Sequence, residues 1–203
     1  MRRLGIFVFY EKDGIVDRFV EYFLKEFIRI IDELFIICNG ELNCEGKKIF
    51  KSFTSNLILR NNEDYDFGAI RDILLNYLDK KYLCTFDELV LCNSTFFGPL
   101  YPLDNVFKEM QNKDIDFWGL TRHGKTANLP AHLQSYFLVI RNQLLRTDDF
   151  YFYWKSRKTH LTTVEEVIDN FEGTFTNYFS KKGYKWEAYS VAKEFESEGQ
   201  PNF

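Results

Sequence analysis

The sequence predicts an α/β domain of Rossmann type, three layers deep, with a mainly parallel central sheet covered by helices on both faces. Three observations carry this. Apolar strand-like runs alternate with segments of helical periodicity through the first half of the chain. Several runs are apolar without interruption, as strands buried on both faces are. The 203 residues are 45% hydrophobic and include 22 Phe and 12 Tyr, enough aromatic surface for one large core and a single domain.

The first run, Leu4–Tyr10, reads as a buried strand. Val16, Phe19, Val20, Phe23, Leu24, Phe27, Ile30 and Ile31 then recur at helical spacing, with Arg18, Glu21, Lys25 and Arg29 between them. Leu34–Cys38 is the second strand, closed by the turn pair Asn39-Gly40. The polar stretch 41–55 holds a short helix, and Leu57–Leu59 a third strand. Asp66 is placed to cap the next helix, whose buried face is Ile70, Ile73, Leu74, Tyr77 and Leu78. Glu88–Cys92 is a further buried strand, and Pro99 and Pro102 break the chain before a short helix around Val106, Phe107 and Met110. Asp116–Leu120 and Ser135–Ile140 read as strands around a polar loop, Thr121–Pro130. The last third is mostly helical. Thr163 with Glu166 forms a capping box, a second helix through Phe175, Tyr178 and Phe179 stops at Gly183, Tyr184–Tyr189 is a final strand, and Glu194–Phe203 a frayed tail.

The net charge of −4, with both signs interspersed, argues against a dedicated nucleic-acid binder. No apolar stretch approaches the ~18–20 residues of a membrane span, and the start Met1-Arg2-Arg3 leads into a strand rather than a cleaved leader. Cys38, Cys44, Cys84 and Cys92 have no metal-ligand spacing, which fits reduced thiols in a cytoplasmic protein.

In parallel α/β sheets ligands bind at the carboxyl ends of the strands. The expected site therefore lies after Tyr10, Cys38, Leu59, Cys92, Leu120 and Ile140. After the first strand, Glu11-Lys12-Asp13-Gly14 leads into a helix and offers free amides to an anion. No GxGxxG or Walker pattern is present. After the third, Arg60 and Arg71 suit a pyrophosphate, with Gly68 allowing close approach and Asp66 and Asp72 able to orient them or bind a nucleoside. A capping turn with a surface salt bridge explains the same residues. After the fourth, Asn93-Ser94-Thr95 before Gly98-Pro99 suggests a pocket floor. His123, beside Arg122 and Lys125, is compatible with an anionic ligand.

Several segments, in order along the chain, resemble the rhamnan synthesis F family of bacterial polysaccharide enzymes. They are Arg3–Tyr10 with Asp13–Asp17, Asn39-Gly40, Asp66–Ala69, Leu91–Ser94, Phe97–Pro102, Asp116–Thr121 and His132–Leu138. The resemblance implies a GT-A-like glycosyltransferase, with residues 1–100 as the nucleotide-sugar half and 101–203 as the acceptor half. Asn62, Gly68 and Ala69 match the residues that open the helix after strand three in such enzymes. The donor implied is dTDP-rhamnose and the acceptor a glycan hydroxyl. Phe9, Tyr10, Asn39 and Asp66 would then hold the nucleoside, Lys12, Arg60 and Arg71 the diphosphate, and Asn93 and Ser94 the sugar or phosphates.

Two departures matter. The strand-four end lacks the Asp-x-Asp motif, so no metal ligand is assigned, and Mg²⁺ or Mn²⁺ is not a firm requirement. The Glu-Asp helix start of inverting enzymes reads Glu172-Gly173 here. Glu172 is therefore the expected general base, with Asp169 in reserve, and His123 and Gln134 face the acceptor. The expected location is cytoplasmic or peripheral at the inner membrane face. The competing reading is a non-catalytic nucleotide- or sugar-binding module of an assembly complex.

Overall fold

A computed structural model describes residues 1–125, 130–161 and 163–190. Part of the Thr121–Pro130 loop and the Glu194–Phe203 tail fall outside them. The elements run β1 (Arg3–Phe9), α1 (Arg18–Phe27), β2 (Glu33–Asn39), α2 (Cys44–Phe53), β3 (Asn56–Arg60) and α3 (Tyr65–Asp72), which continues as a π-helical segment Ile73–Tyr77. Then come α4 (Lys80–Leu83), β4 (Glu88–Asn93), α5 (Leu103–Gln111), β5 (Phe117–His123), β6 (His132–Leu133), β7 (Phe137–Arg141), α6 (Asn142–Leu145) and α7 (Asp148–Ser156). Last are α8 (Val164–Val167), a π-helical segment Ile168–Glu172, α9 (Gly173–Lys181) and β8 (Trp186–Ser190).

The sheet order is β3-β2-β1-β4-β7-β5-β6, with β8 beside β5. The pairs β1–β2, β2–β3, β1–β4 and β5–β8 are parallel, while β7 runs antiparallel to both β4 and β5. The expected α/β architecture stands, with β7 inserted in reverse. The two-residue β6 is too short to leave a periodic signature in sequence.

Alternation along β1 divides the core into two layers. Leu4, Ile6 and Val8 face Phe67, Leu74, Trp154, Phe171 and Phe175, whereas Phe7 and Phe9 face Phe23, Phe27, Phe50 and Phe107. Rings of on the order of 150–250 Å² each fill both layers in tilted and edge-to-face contacts, such as Phe9–Phe50 at 5.1 Å and Phe117–Phe175 at 5.6 Å. At the amino ends of the strands, buried Glu88 ties the sheet together. It accepts from Arg3 Nε at 2.6 Å and pairs with Arg141 Nε at 3.5 Å, and Arg141 also donates to the carbonyls of Lys113, Ile115 and Met110.

The capping box is reciprocal: Thr163 Oγ1 accepts from the Glu166 amide and Glu166 Oε2 from the Thr163 amide. The cap expected of Asp66 is not formed. Asp64 precedes α3, and Asp66 lies inside its first turn with its side chain turned to β4.

Candidate functional site

The ends of β1, β2, β3, β4 and β5 share one edge of the sheet. The end of β7 does not: because β7 is reversed, Ile140 lies at the opposite edge and Ser135–Tyr136, at its start, reaches the site instead. The Asn93 amide donates to Tyr136 O at 3.2 Å, joining the two.

The loop after β1 departs from expectation. The amides of Asp13, Gly14 and Ile15 are not open to an anion, because Glu11 Oε2 accepts from Asp13 and Ile15 at 2.8 Å each and Glu11 O from Gly14. Gly14 takes φ +66°, and a Cβ there would lie 2.5 Å from Glu41 O, so the loop is clamped onto the start of α2. Phe9 is buried against Phe50 and cannot face a nucleoside. Tyr10 is half exposed, its ring over Gly40, and Lys12 is exposed beside it.

The ends of β2 and β3 are locked together. Asn39 and Arg60 are register partners. Buried Asn39 accepts from Arg60 at 2.7 Å and donates to Tyr65 O at 3.0 Å, which leaves its side chain no reach toward a base. Arg60 also donates to Glu63 O at 3.0 Å and pairs with Asp72 at 3.6 Å. Arg71, further along α3, donates to Trp154 O, so the structure does not bring the two arginines together. Asp64 and Tyr65 sit at φ 57° and 54°, a conformation that costs a non-glycine residue of order 1–3 kcal/mol. What holds them is the Asp64 carboxylate, which accepts from the Leu161 amide, and Gly68, where a Cβ would be 2.3 Å from Glu63 O. A cleft of about 410 Å³ opens beside these ends, lined by Gly40, Glu41, Lys47, Arg60 and Asn61 among others.

The strained turn delivers Asp66 to the end of β4. Asn93 Nδ2 donates to Asp66 Oδ2 at 2.7 Å, and Asn93 Oδ1 accepts from the amide and hydroxyl of Thr95. Burial pushes the Asp66 carboxyl up to about 6, the Asn93 hydrogen bond opposing it. A carboxylate thus reaches the place where the strand's own sequence has none. It is a poor partner for a divalent cation: one carboxylate, with burial disfavouring its charge, and an amide oxygen already engaged. Among the described residues no cluster of three or more acidic, His or Cys side chains is placed to hold a metal. Ser94, half buried, spends its amide on Val8 O.

On the other side of Asn93 lies Glu172, at the junction of the Ile168–Glu172 segment with α9. Its Oε1 accepts from the Ser135 amide at 3.0 Å, next to the Tyr136 carbonyl that holds Asn93. Asp169 is exposed on the same segment. Gln134 Oε1 accepts from Thr121 Oγ1 at 2.7 Å, and Thr121 meets the Tyr136 hydroxyl at 2.6 Å. The exposed His123 stacks on buried His132, centroids 5.3 Å apart. Asn93, Ser94, Asp66, Gln134 and Glu172 therefore share one edge. The Asp66–Asn93 bond and the Thr121–Tyr136 pair were not legible from spacing, since both join residues that only the sheet order makes neighbours.

A model of the rhamnan synthesis protein F family matches residues 34–202. The chain belongs to that family. The matched stretch covers α3, β4 and the Glu172 region, and begins after the β1 segment that also carries the resemblance. Among curated proteins, no sequence matches the chain. Among solved structures, a 4-diphosphocytidyl-2C-methyl-D-erythritol synthase is similar at TM-score 0.54 and 12% identity, over 93% of this chain and 89% of that one. The same synthase from Anaerococcus prevotii is similar at TM-score 0.53 and 10% identity, over 95% and 88%. These likenesses show the fold, a GT-A-like α/β sheet. Family and fold together support a glycosyltransferase-like role.

Proposed function

We propose that the chain transfers a deoxyhexose, L-rhamnose from dTDP-rhamnose, to a glycan hydroxyl with inversion, in bacterial surface polysaccharide synthesis. Residues 1–100 would hold the donor and 101–203 the acceptor. The observation that carries the reading is Glu172. One carboxylate oxygen is anchored on the Ser135 amide and the other has no hydrogen-bond partner among the described residues, beside Asn93 at the shared edge. In the reaction Glu172 takes the acceptor hydroxyl proton as that oxygen attacks the anomeric carbon. The carbon–oxygen bond to the diphosphate breaks on the opposite face, and dTDP leaves. Asp66, Asn93 and Ser94 would face the sugar and phosphates, Tyr10 and Lys12 the nucleotide, and Gln134 and His123 the acceptor.

The test is titration calorimetry with dTDP, dTDP-rhamnose, UDP and UDP-glucose, with and without Mn²⁺, followed by turnover of Glu172→Gln. We expect dTDP ligands to bind without metal. In the variant kcat should fall about 10²–10⁴-fold with donor affinity kept. Unchanged turnover removes Glu172 from the base role. A second reading, a non-catalytic sugar-nucleotide module, is favoured by one observation: the Arg60 guanidinium is committed to Asn39, Glu63 and Asp72, leaving no preset fork for phosphate. Release of free dTDP from dTDP-rhamnose without acceptor decides for the enzyme. A cytoplasmic location is supported by four free cysteines, and among the described residues no helix is long and apolar enough to cross a membrane.

A further inference from the structure

The helix that carries Glu172 meets the 133–135 segment at two points one turn apart. Glu172 Oε1 accepts from the Ser135 amide and Thr176 Oγ1 from the Leu133 amide, each at 3.0 Å. Between them the Gln134 amide points the other way, to Thr121 O at 3.1 Å. This is the alternation of a strand edge, carried past the end of β6. One helical turn rises about 5.4 Å and two strand residues about 6.6 Å, so two side chains four apart can meet two amides two apart. Thr176 is 1% exposed, and the buried residues around it on the helix are Phe171, Phe175 and Phe179. A valine would fill the same space, but it would leave the buried Leu133 amide without an acceptor. On the other face, side chains pair the carbonyls of the π-helical segment Ile168–Glu172. The Tyr153 hydroxyl donates to Phe171 O at 3.1 Å and Thr174 Oγ1 to Asn170 O at 2.5 Å. A π-helical turn, closed by i→i+5 bonds, changes the facing of the residues after it. Thr176 is the first buried polar side chain beyond that turn.

We propose that Thr176 is a positioning residue for Glu172. Its bond to the Leu133 amide fixes the rotation of the start of α9 against the 133–135 segment, and so keeps Glu172 Oε1 on the Ser135 amide. The consequence for catalysis, that the second Glu172 oxygen is thereby held toward the attacking hydroxyl, rests on the function proposed above.

Thr176→Val keeps the shape and removes the acceptor; Thr176→Ser keeps the acceptor. The first measurement is amide hydrogen exchange in the full chain, read by NMR. Exchange at Ser135 should be about ten-fold faster in Thr176→Val and near the wild-type rate in Thr176→Ser. Coupling runs both ways, so Glu172→Ala should speed exchange at Leu133 to a similar degree. That variant alters a half-buried side chain and reads the pair even where Thr176→Val does not fold. The second measurement is dTDP release from dTDP-rhamnose with water as acceptor. Thr176→Val should lower kcat about ten- to hundred-fold with the donor KM kept, and Thr176→Ser should retain the wild-type kcat. A packing role alone would lower the urea midpoint and leave Ser135 exchange and kcat unmoved. Unchanged Ser135 exchange in Thr176→Val, or unchanged Leu133 exchange in Glu172→Ala, overturns the proposal. A normal kcat in Thr176→Val where Glu172→Gln is slow overturns it too. If Glu172→Gln is as fast as the wild type, or the wild type releases no dTDP, the proposed function falls, and exchange alone decides whether Thr176 holds Glu172.

Discussion

Asp66→Asn should stabilise the protein at neutral pH and remove part of its pH dependence. Desolvation raises the carboxyl from its ordinary 3.8 to about 6 in the fold. The native state therefore binds more protons than the unfolded chain between those values. Stability from this group is full below about pH 4 and is lost as pH rises through about 6. That rise in the carboxyl corresponds to about 3 kcal/mol, of which about 2–3 should appear, since the largely buried Asp66 keeps some solvent contact. An Asn side chain keeps the acceptor for Asn93 Nδ2 while carrying no charge. Urea unfolding of both proteins from pH 4 to pH 8 reads the difference. The variant's advantage should be small at pH 4 and grow to about 2–3 kcal/mol by pH 7. A difference constant across that range would refute the buried, raised carboxyl.

The remaining predictions concern the parts that place Asp66 and hold the sheet. Asn93→Ala removes the hydrogen bond that lowers the Asp66 carboxyl, so Asp66 should titrate above its wild-type value in carbon-detected NMR; a lower value would contradict the bond. Gly68→Ala puts a Cβ 2.3 Å from Glu63 O and 2.6 Å from Asp64 Cβ, so urea unfolding should show a loss of about 1–3 kcal/mol, with faster amide exchange in residues 63–68. Glu88→Gln leaves the Arg3 and Arg141 guanidinium groups facing a neutral, buried amide and should cost about 3–5 kcal/mol; a cost under about 1 kcal/mol would show that Arg141's three carbonyl contacts suffice.

The strand and helix succession was legible because period and apolar run length survive in a single sequence. Leu4–Tyr10 and Glu88–Cys92 are strands within a residue or two of expectation. The direction of β7 was not legible, since Phe137–Ile140 reads the same whichever way the strand runs, and with it went the expected site after Ile140. The site residues divide on similar grounds. Glu172, Asn93 and Gln134 reach the shared edge because strand and helix ends put them there. Phe9 fails because an odd–even position on β1 decides which layer a ring enters, and Phe9 shares its face with Phe7. Arg60 and Asn39 looked free in sequence because their partners, Glu63 O and Tyr65 O, are backbone atoms of a turn whose left-handed residues carry no composition cue.

That turn explains why a segment so polar does so little binding with its own cation. Arg60 gathers Asn39, the Glu63 carbonyl and Asp72, and Asn39 gathers the Tyr65 carbonyl, so the guanidinium is spent around the turn, whose two non-glycine residues at positive φ are held by the Asp64–Leu161 bond and the close approach at Gly68. The strain so held has one visible product: the start of α3 is turned so that Asp66 meets Asn93 across the sheet edge. Backbone strain held at the strand-end edge, beyond what packs Tyr65 against the core, is how a fold positions a group. The cations left for an anionic donor are then side chains such as Lys12 and Lys47, both exposed and borne on the β1 loop and α2 rather than on the strained turn. Long flexible ammonium groups meet a diphosphate as point charges and lose side-chain entropy in doing so. Donor affinity in this architecture should therefore be modest and salt-sensitive, with specificity resting on the rigid Asp66–Asn93 pair rather than on the charge that draws the ligand in.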